Sequence, residues 1–100
     1  MNDIDIRSID HLKDKFERLK QGQISAFTFY VDCKNIYEYM SDFNPEWLEK
    51  VSESSFRVYD YMEAAETINQ GKLEGEYKEG YEKAISDFQS LLEEINRKED

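Results

Sequence analysis

The chain has 100 residues, of which 39% are apolar and 36% charged, and 23 acidic against 13 basic side chains give it a net charge of −10. This length suffices for one domain with a single core and excludes a multidomain enzyme. The negative charge argues against direct binding to nucleic acid or anionic membranes, which attract cations. A single cysteine and a single histidine exclude an internal disulfide and a zinc-type site. We therefore expect one acidic helical domain over residues 1–100 that needs no cofactor. Because no long apolar run or signal peptide is evident, we also expect it to be cytoplasmic.

The first segment predicts a helix over about 9–21. Apolar residues after Ser8 are spaced by three and four positions, as on one face of a helix, and Gly22 follows as a stop. These apolar residues are Ile9, Leu12, Phe16 and Leu19.

The second segment allows two interpretations. Ser25 is a candidate N-cap, and an apolar stripe of helical spacing extends from Ala26 through Cys33 to Phe43. Residues 26–33 also alternate between apolar and polar positions and are rich in aromatic and β-branched side chains, which is typical of a strand. A helix gives an all-α fold, and a strand would make it α+β.

The third segment carries the strongest local signal. Asn44 can cap a helix, Pro45 suits the first helical position, and Glu46 faces the positive helix end. A stripe of helical spacing then continues from Leu48 to Ala65, although the serines within 52–55 could divide it into two helices.

The fourth segment, about 73–96, places Tyr77 and Tyr81 on an apolar stripe that continues to Ile95, so we interpret both tyrosines as core residues. Four amphipathic segments with short connections predict a compact antiparallel four-helix bundle.

Acidic residues are concentrated in the middle of the chain. Residues 35–94 hold fifteen acids and five bases, whereas residues 1–34 hold six of each. On the third helix the acids repeat in a different phase from the apolar stripe, so they would form a ridge opposite the core. We call this the acidic ridge, and its members are Glu46, Glu49, Glu53, Asp60 and Glu63. Glu76 and Glu79 would extend the charge onto the fourth helix.

A charged helix face often does no more than keep a protein soluble. However, like charges one turn apart repel each other, and a bundle that needed only solubility would interleave lysines. The ridge therefore also fits a surface that imitates a phosphate backbone for a basic protein.

Three tyrosines lie off the predicted stripes, namely Tyr39, Tyr59 and Tyr61. Exposed tyrosines surrounded by acids would suit a partner rich in lysine and arginine, so we include them among the partner-binding candidates. Trp47 is either a core residue or an anchor for such an interface.

Catalysis has little support in the sequence. His11 is expected on the surface, and Cys33 lies on an apolar stripe without a paired histidine, as a small buried hydrophobic residue does. No metal-binding motif or phosphate-binding glycine loop is present. We expect a protein that is not an enzyme.

The stretch 19–26, with Gly22, Ile24, Ser25 and Ala26 followed by Phe29, resembles the opening of the colicin D-type immunity family. The resemblance covers about half of the chain. It implies a small helical bundle that blocks the basic active site of a tRNA-cleaving toxin with acidic side chains. The chain departs from the family at Phe27 and Thr28, where the family tends to have charged residues.

Three functions remain open from the sequence, the last of which is a helical bundle that binds a small molecule through its tyrosines. The first is an inhibitor that covers the basic nucleic-acid-binding groove of a nuclease, either as an immunity protein or as a phage anti-defence protein such as an anti-CRISPR. The second is a non-catalytic structural or adaptor protein, with a homodimer as one form.

Overall fold

Four helices form an antiparallel all-α bundle, as the sequence predicts. The structure, a computed structural model, describes residues 2–40 and 42–99, the last four as backbone alone. The helices are α1 (Asp3–Lys20), α2 (Ala26–Glu38), α3 (Pro45–Ile68) and α4 (Gly75–Glu99). Each packs against the next along the chain, and α1 also meets α4 where the rings of Phe16 and Phe88 lie 4.9 Å apart.

Helix α1 begins six residues before the predicted start. Asn2 caps it, since the side-chain oxygen accepts a hydrogen bond from the Asp5 backbone N–H at 2.8 Å. Two acids in the first turn, Asp3 and Asp5, are favourable beside the positive end of the helix. The apolar stripe that predicted α1 did not extend to this turn. Its two isoleucines, Ile4 and Ile6, are exposed and do not face the core.

Helix α2 excludes the strand interpretation of residues 26–33. Ser25 caps the helix by accepting a hydrogen bond from the Thr28 backbone N–H at 3.1 Å, and Phe29 and Cys33 are buried on its inner face. The helix ends at Glu38, so the predicted continuation to Phe43 is wrong. Phe43 still packs against the core from the connection, because its ring lies 5.2 Å from that of Trp47.

Helix α3 is continuous through its serines. Asn44 accepts hydrogen bonds from the backbone N–H groups of Glu46 and Trp47 at 3.0 and 3.2 Å, which confirms the predicted start. Ser55 causes no break, since its hydroxyl donates to the Ser52 carbonyl at 2.9 Å and stays within the helix.

The core is built around aromatic side chains. The Phe29 ring lies 6.1 Å from that of Phe16 and 5.1 Å from that of Phe88, so three helices meet at these rings. Burying each phenylalanine contributes roughly 1.5–3 kcal/mol. Trp47 is also buried, and its indole N–H donates to the Leu91 carbonyl at 2.9 Å, which links α3 to α4. Trp47 is therefore a core residue and not an interface anchor.

Cys33 is fully buried, as predicted, and His11 is exposed. Loss of solvation raises the pKa of the Cys33 thiol far above its usual value, and the neighbouring Asp32 carboxylate raises it further. The thiol is thus held in its neutral, unreactive form.

Helices α3 and α4 approach closely at Gly80. A Cβ atom at this position would overlap the ring of Tyr61. The absence of a side chain at Gly80 therefore lets the half-buried Tyr61 ring lie against α4.

The buried thiol predicts a loss of stability at alkaline pH. Above about pH 8.5 the thiol of the unfolded chain ionises while the folded chain keeps its proton, so the free energy of unfolding falls with rising pH. One such group contributes a slope of about 1.4 kcal/mol per pH unit. Cys33→Ala should cost roughly 1–2 kcal/mol at neutral pH but show a shallower alkaline decline, measured by urea unfolding at a series of pH values. Parallel pH profiles for the two chains would contradict this.

The contact at Gly80 predicts that an alanine has opposite effects in two backgrounds. In the wild-type chain, overlap with the Tyr61 ring should outweigh the better helix propensity of alanine, for a net loss of about 1 kcal/mol. In a Tyr61→Ala chain the same Gly80→Ala change should add about 1 kcal/mol. Urea unfolding followed by circular dichroism measures both, and an effect of the same sign in both backgrounds would refute the close contact.

Candidate functional site

The acidic ridge lies on the outer side of α3. All five of its side chains are exposed, whereas Val51 and Val58 on the opposite side are fully buried. Since residues three and four positions apart share a helix face, the ridge forms a continuous strip of carboxylates along the helix.

Part of this charge is matched locally. Glu46 forms an ion pair with Lys50 at 3.5 Å, and Glu53 pairs with Arg57. Among the residues that the structure describes, the remaining three members, Glu49, Asp60 and Glu63, have no basic partner. The ridge therefore keeps unmatched negative charge at Glu49, near its N-terminal end, and at Asp60 and Glu63, at its C-terminal end.

The two acids predicted on α4 are also exposed. Glu76 and Glu79 lie in the first two turns of α4. In the described part of the chain neither has an ion pair. Their position near the positive end of α4 is favourable for the helix itself, which gives these two acids a local role apart from any partner.

Four aromatic rings from α2 and α3 form a surface cluster beside the ridge. We call Phe27, Tyr30, Phe56 and Tyr59 the aromatic cluster. The rings of Tyr30 and Tyr59 are stacked at 5.5 Å with an angle of 8° between their planes. Phe27 lies 5.6 Å from Tyr59, and Phe56 lies 5.6 Å from Tyr30. Phe27 is 58% exposed and Phe56 is 45% exposed, so the rings present apolar area to solvent.

The aromatic cluster and the acidic ridge share one face of α3. Phe56 lies one helical turn from both Glu53 and Asp60, and Tyr59 lies one turn from Glu63. An exposed ring thus stands within the strip of carboxylates. Such a combination suits a partner surface that carries cations on apolar stems.

A shallow groove of about 430 Å³ lies at one end of this face, between the start of α2 and the last turns of α3. We call it the α2/α3 groove. Its lining consists of Ser25, Ala26, Phe27, Tyr59, Met62, Glu63, Glu66 and Thr67. The lining holds two carboxylates and two aromatic rings but no basic side chain.

The Tyr59 hydroxyl is sensitive to the neighbouring negative charge. A hydrogen bond to the Glu63 carboxylate raises the pKa of Tyr59, and smaller effects of desolvation and of the charges on Glu63 and Asp60 act in the same direction. The tyrosine therefore remains a neutral hydrogen-bond donor beside the carboxylates at physiological pH.

The three predicted tyrosines lie in different places. Tyr59 belongs to the aromatic cluster. Tyr39 is 76% exposed at the C-terminal end of α2, and Tyr61 contacts α4 at Gly80. The structure therefore brings only Tyr59 together with the acids of α3.

Sequence reasoning missed Phe27, Tyr30 and Phe56 as surface residues. A signal was present, because Phe27 and Phe56 fall outside the apolar stripes of α2 and α3 and would have to point outward on a helix. The contacts of Phe27 and Tyr30 on α2 with Phe56 and Tyr59 on α3 depend on the register of α2 against α3. That register is set by distant pairs, such as the hydrogen bond between the hydroxyls of Tyr37 and Ser52 at 3.0 Å.

Metal binding has no candidate centre in the described residues. They contain no group of histidine, cysteine and acidic side chains that could hold a metal ion. Within the same residues, no helix is long and apolar enough to cross a membrane.

The Tyr59–Glu63 contact predicts that Glu63→Gln lowers the pKa of Tyr59, because the amide weakens the hydrogen bond from the tyrosine hydroxyl and removes the charge that disfavours the tyrosinate. The pKa can be measured from the ring carbon shifts of labelled tyrosine during an alkaline NMR titration. Glu66→Gln serves as a control that should leave the Tyr59 titration in place. An unchanged Tyr59 pKa in the Glu63→Gln chain would contradict the contact.

No protein-family model, curated protein or solved structure matches the chain. What the protein does must therefore be inferred from its own residues, and the face formed by the aromatic cluster and the acidic ridge is the strongest candidate site.

Proposed function

We propose that the protein is a non-catalytic inhibitor that binds the basic nucleic-acid-binding groove of a nuclease or related protein. The aromatic cluster beside the acidic ridge is the observation that carries this proposal. The carboxylates occupy the place of phosphates, and the rings contribute the apolar area that holds the complex together.

The distribution of charge supports a role beyond solubility. Glu49, Asp60 and Glu63 have no basic partner in the described structure, although Lys50 and Arg57 on the same helix pair with other acids of the ridge. Uncompensated like charges on one helix cost a few tenths of a kcal/mol for each close pair. A basic partner would relieve this repulsion on binding.

The exposed rings support a binding role independently. Phe27 and Phe56 face solvent, whereas Phe16, Phe29 and Phe88 are buried in the core. Aromatic side chains are enriched at the centres of protein interfaces and depleted from the rest of the surface. Charge would mainly accelerate association, and the rings would slow dissociation.

Two biological settings use the same physics. An immunity protein would neutralise a toxin nuclease, in line with the resemblance to the colicin D-type family, and a phage anti-defence protein such as an anti-CRISPR would block a host nucleic-acid-binding complex. The residues that carry the resemblance have a local role as well, because Gly22 has a positive φ of 74° and Ser25 caps α2. The turn between α1 and α2 accounts for them without reference to a toxin.

The alternative is a structural or adaptor protein that forms a homodimer through the same rings. The exposure of Phe27 and Phe56 favours this form. The net charge of −10 opposes a homodimer, because two copies docked on this face would bring their acidic ridges together and the ridges would repel each other.

The proposal predicts that reversing the unpaired charges abolishes binding. A triple variant should lose two activities, namely capture of a basic nucleic-acid-binding protein from host cells and displacement of a labelled oligonucleotide from that protein. Its substitutions are Glu49→Lys, Asp60→Lys and Glu63→Lys. The wild-type association rate should also fall by about tenfold or more between low and high salt. Surface plasmon resonance and fluorescence anisotropy measure these quantities.

A matched control carries the same three charge reversals elsewhere, at Asp10, Glu82 and Glu93. These acids are exposed on α1 and α4, and this control should keep binding, with circular dichroism showing that both variants fold. A partner that holds the oligonucleotide and this protein at the same time would contradict the proposal. A chain that light scattering shows to be a dimer, with no basic partner, would favour the adaptor instead.

A further inference from the structure

We infer that the α2/α3 groove takes an arginine side chain of the partner, held against the rings of Phe27 and Tyr59 and paired with Glu63 and Glu66. The inference rests on the proposed function and names the chemistry of its central contact.

The walls of the groove fit the flat face of a guanidinium group. The rings of Phe27 and Tyr59 lie 5.6 Å apart at an angle of 56°, and Phe27 is more than half exposed. A planar cation can lie against either ring, where the negative face of the π system attracts it. Met62 and Ala26 supply apolar surface for the three-carbon stem.

The charges of the groove suit a cation. Glu63 and Glu66 lie one turn apart on α3, and neither forms an ion pair in the described structure. The positive end of α2 and the negative end of α3 both reach the groove, so their dipoles oppose each other. The two carboxylates therefore make the electrostatic potential of the groove negative. The last turn of α3 contains no basic residue that could neutralise them.

Arginine fits this arrangement better than lysine. Its guanidinium donates five N–H groups in a fixed fork, matches a carboxylate with two parallel hydrogen bonds, and is weakly hydrated enough to stack on a ring. The lysine ammonium is a compact, strongly hydrated charge that gains less from two aromatic walls. The groove volume of about 430 Å³ leaves room for the guanidinium and its stem.

The test compares two blocked peptides of equal length and charge, one an arginine–glycine repeat and the other a lysine–glycine repeat. NMR titration of the labelled protein should show that the arginine peptide binds about fivefold more tightly. The largest shifts should fall on Phe27, Tyr59, Glu63 and Glu66. This experiment needs no knowledge of the natural partner.

Two variants identify the contacts. Glu63→Gln with Glu66→Gln should weaken binding of both peptides, and Phe27→Leu should remove most of the preference for arginine while keeping the bundle folded, since Phe27 is on the surface. The control variant, Asp10→Asn with Glu82→Gln, also removes two negative charges, but outside the groove. It should keep the preference for the arginine peptide.

Equal affinity for the two peptides, or shifts confined to another face, overturns the arginine inference and leaves the nuclease-binding proposal to its own charge-reversal test. Groove shifts that depend on protein concentration without any peptide indicate a second copy in the groove and also overturn the inference. Loss of nuclease binding in the charge-reversal variant, together with peptides that bind equally, would support the proposed function and overturn only the arginine inference.

Discussion

The packing of α3 between α2 and α4 is the constraint on which the rest of the structure depends. One side of α3 must fill the core, where Val51 and Val58 are fully buried, and its edges must meet two neighbours. The stacked rings of Tyr30 and Tyr59 form the junction with α2, and the hydrogen bond from Trp47 to Leu91 forms the junction with α4. Only the outer side remains free, so the chain's acids on this helix are gathered there by the geometry of packing and not by attraction to anything within the protein.

This arrangement gives one face two properties that usually conflict. Exposed aromatic rings promote self-association, whereas a strip of carboxylates keeps copies of the same chain apart. Phe56 lies within one turn of Glu53 and Asp60, so an exposed ring and the repelling carboxylates occur on the same face. Two copies of this face would repel each other, and under the proposed function the same charge would select a partner surface that is both cationic and apolar. Glu66 adds to this in the last turn of α3, where a negative charge is unfavourable for the helix itself.

The sequence predicted the features that depend on near neighbours in the chain. The start of α3 followed from Asn44 and Pro45, the outward position of the ridge followed from helical phase, and the burial of Cys33 followed from its stripe. The end of α2 was placed too late because Phe43 contacts the core from a connection as effectively as from a helix. The aromatic cluster was missed for a different reason. Periodicity reveals that Phe27 and Phe56 point outward, but it contains no information on how α2 slides along α3, and that offset alone brings the rings together.

The position of Trp47 has a practical consequence. It is the only tryptophan of the chain, and its indole is bonded across two helices at the opposite end of α3 from the α2/α3 groove. Sixteen residues of helix separate it from Glu63, a distance of roughly 24 Å. Trp47 fluorescence therefore reports whether the bundle is folded, and a ligand that binds at the groove should leave that emission unchanged. Folding can therefore be followed by this emission while a ligand is bound at the groove, without adding a dye.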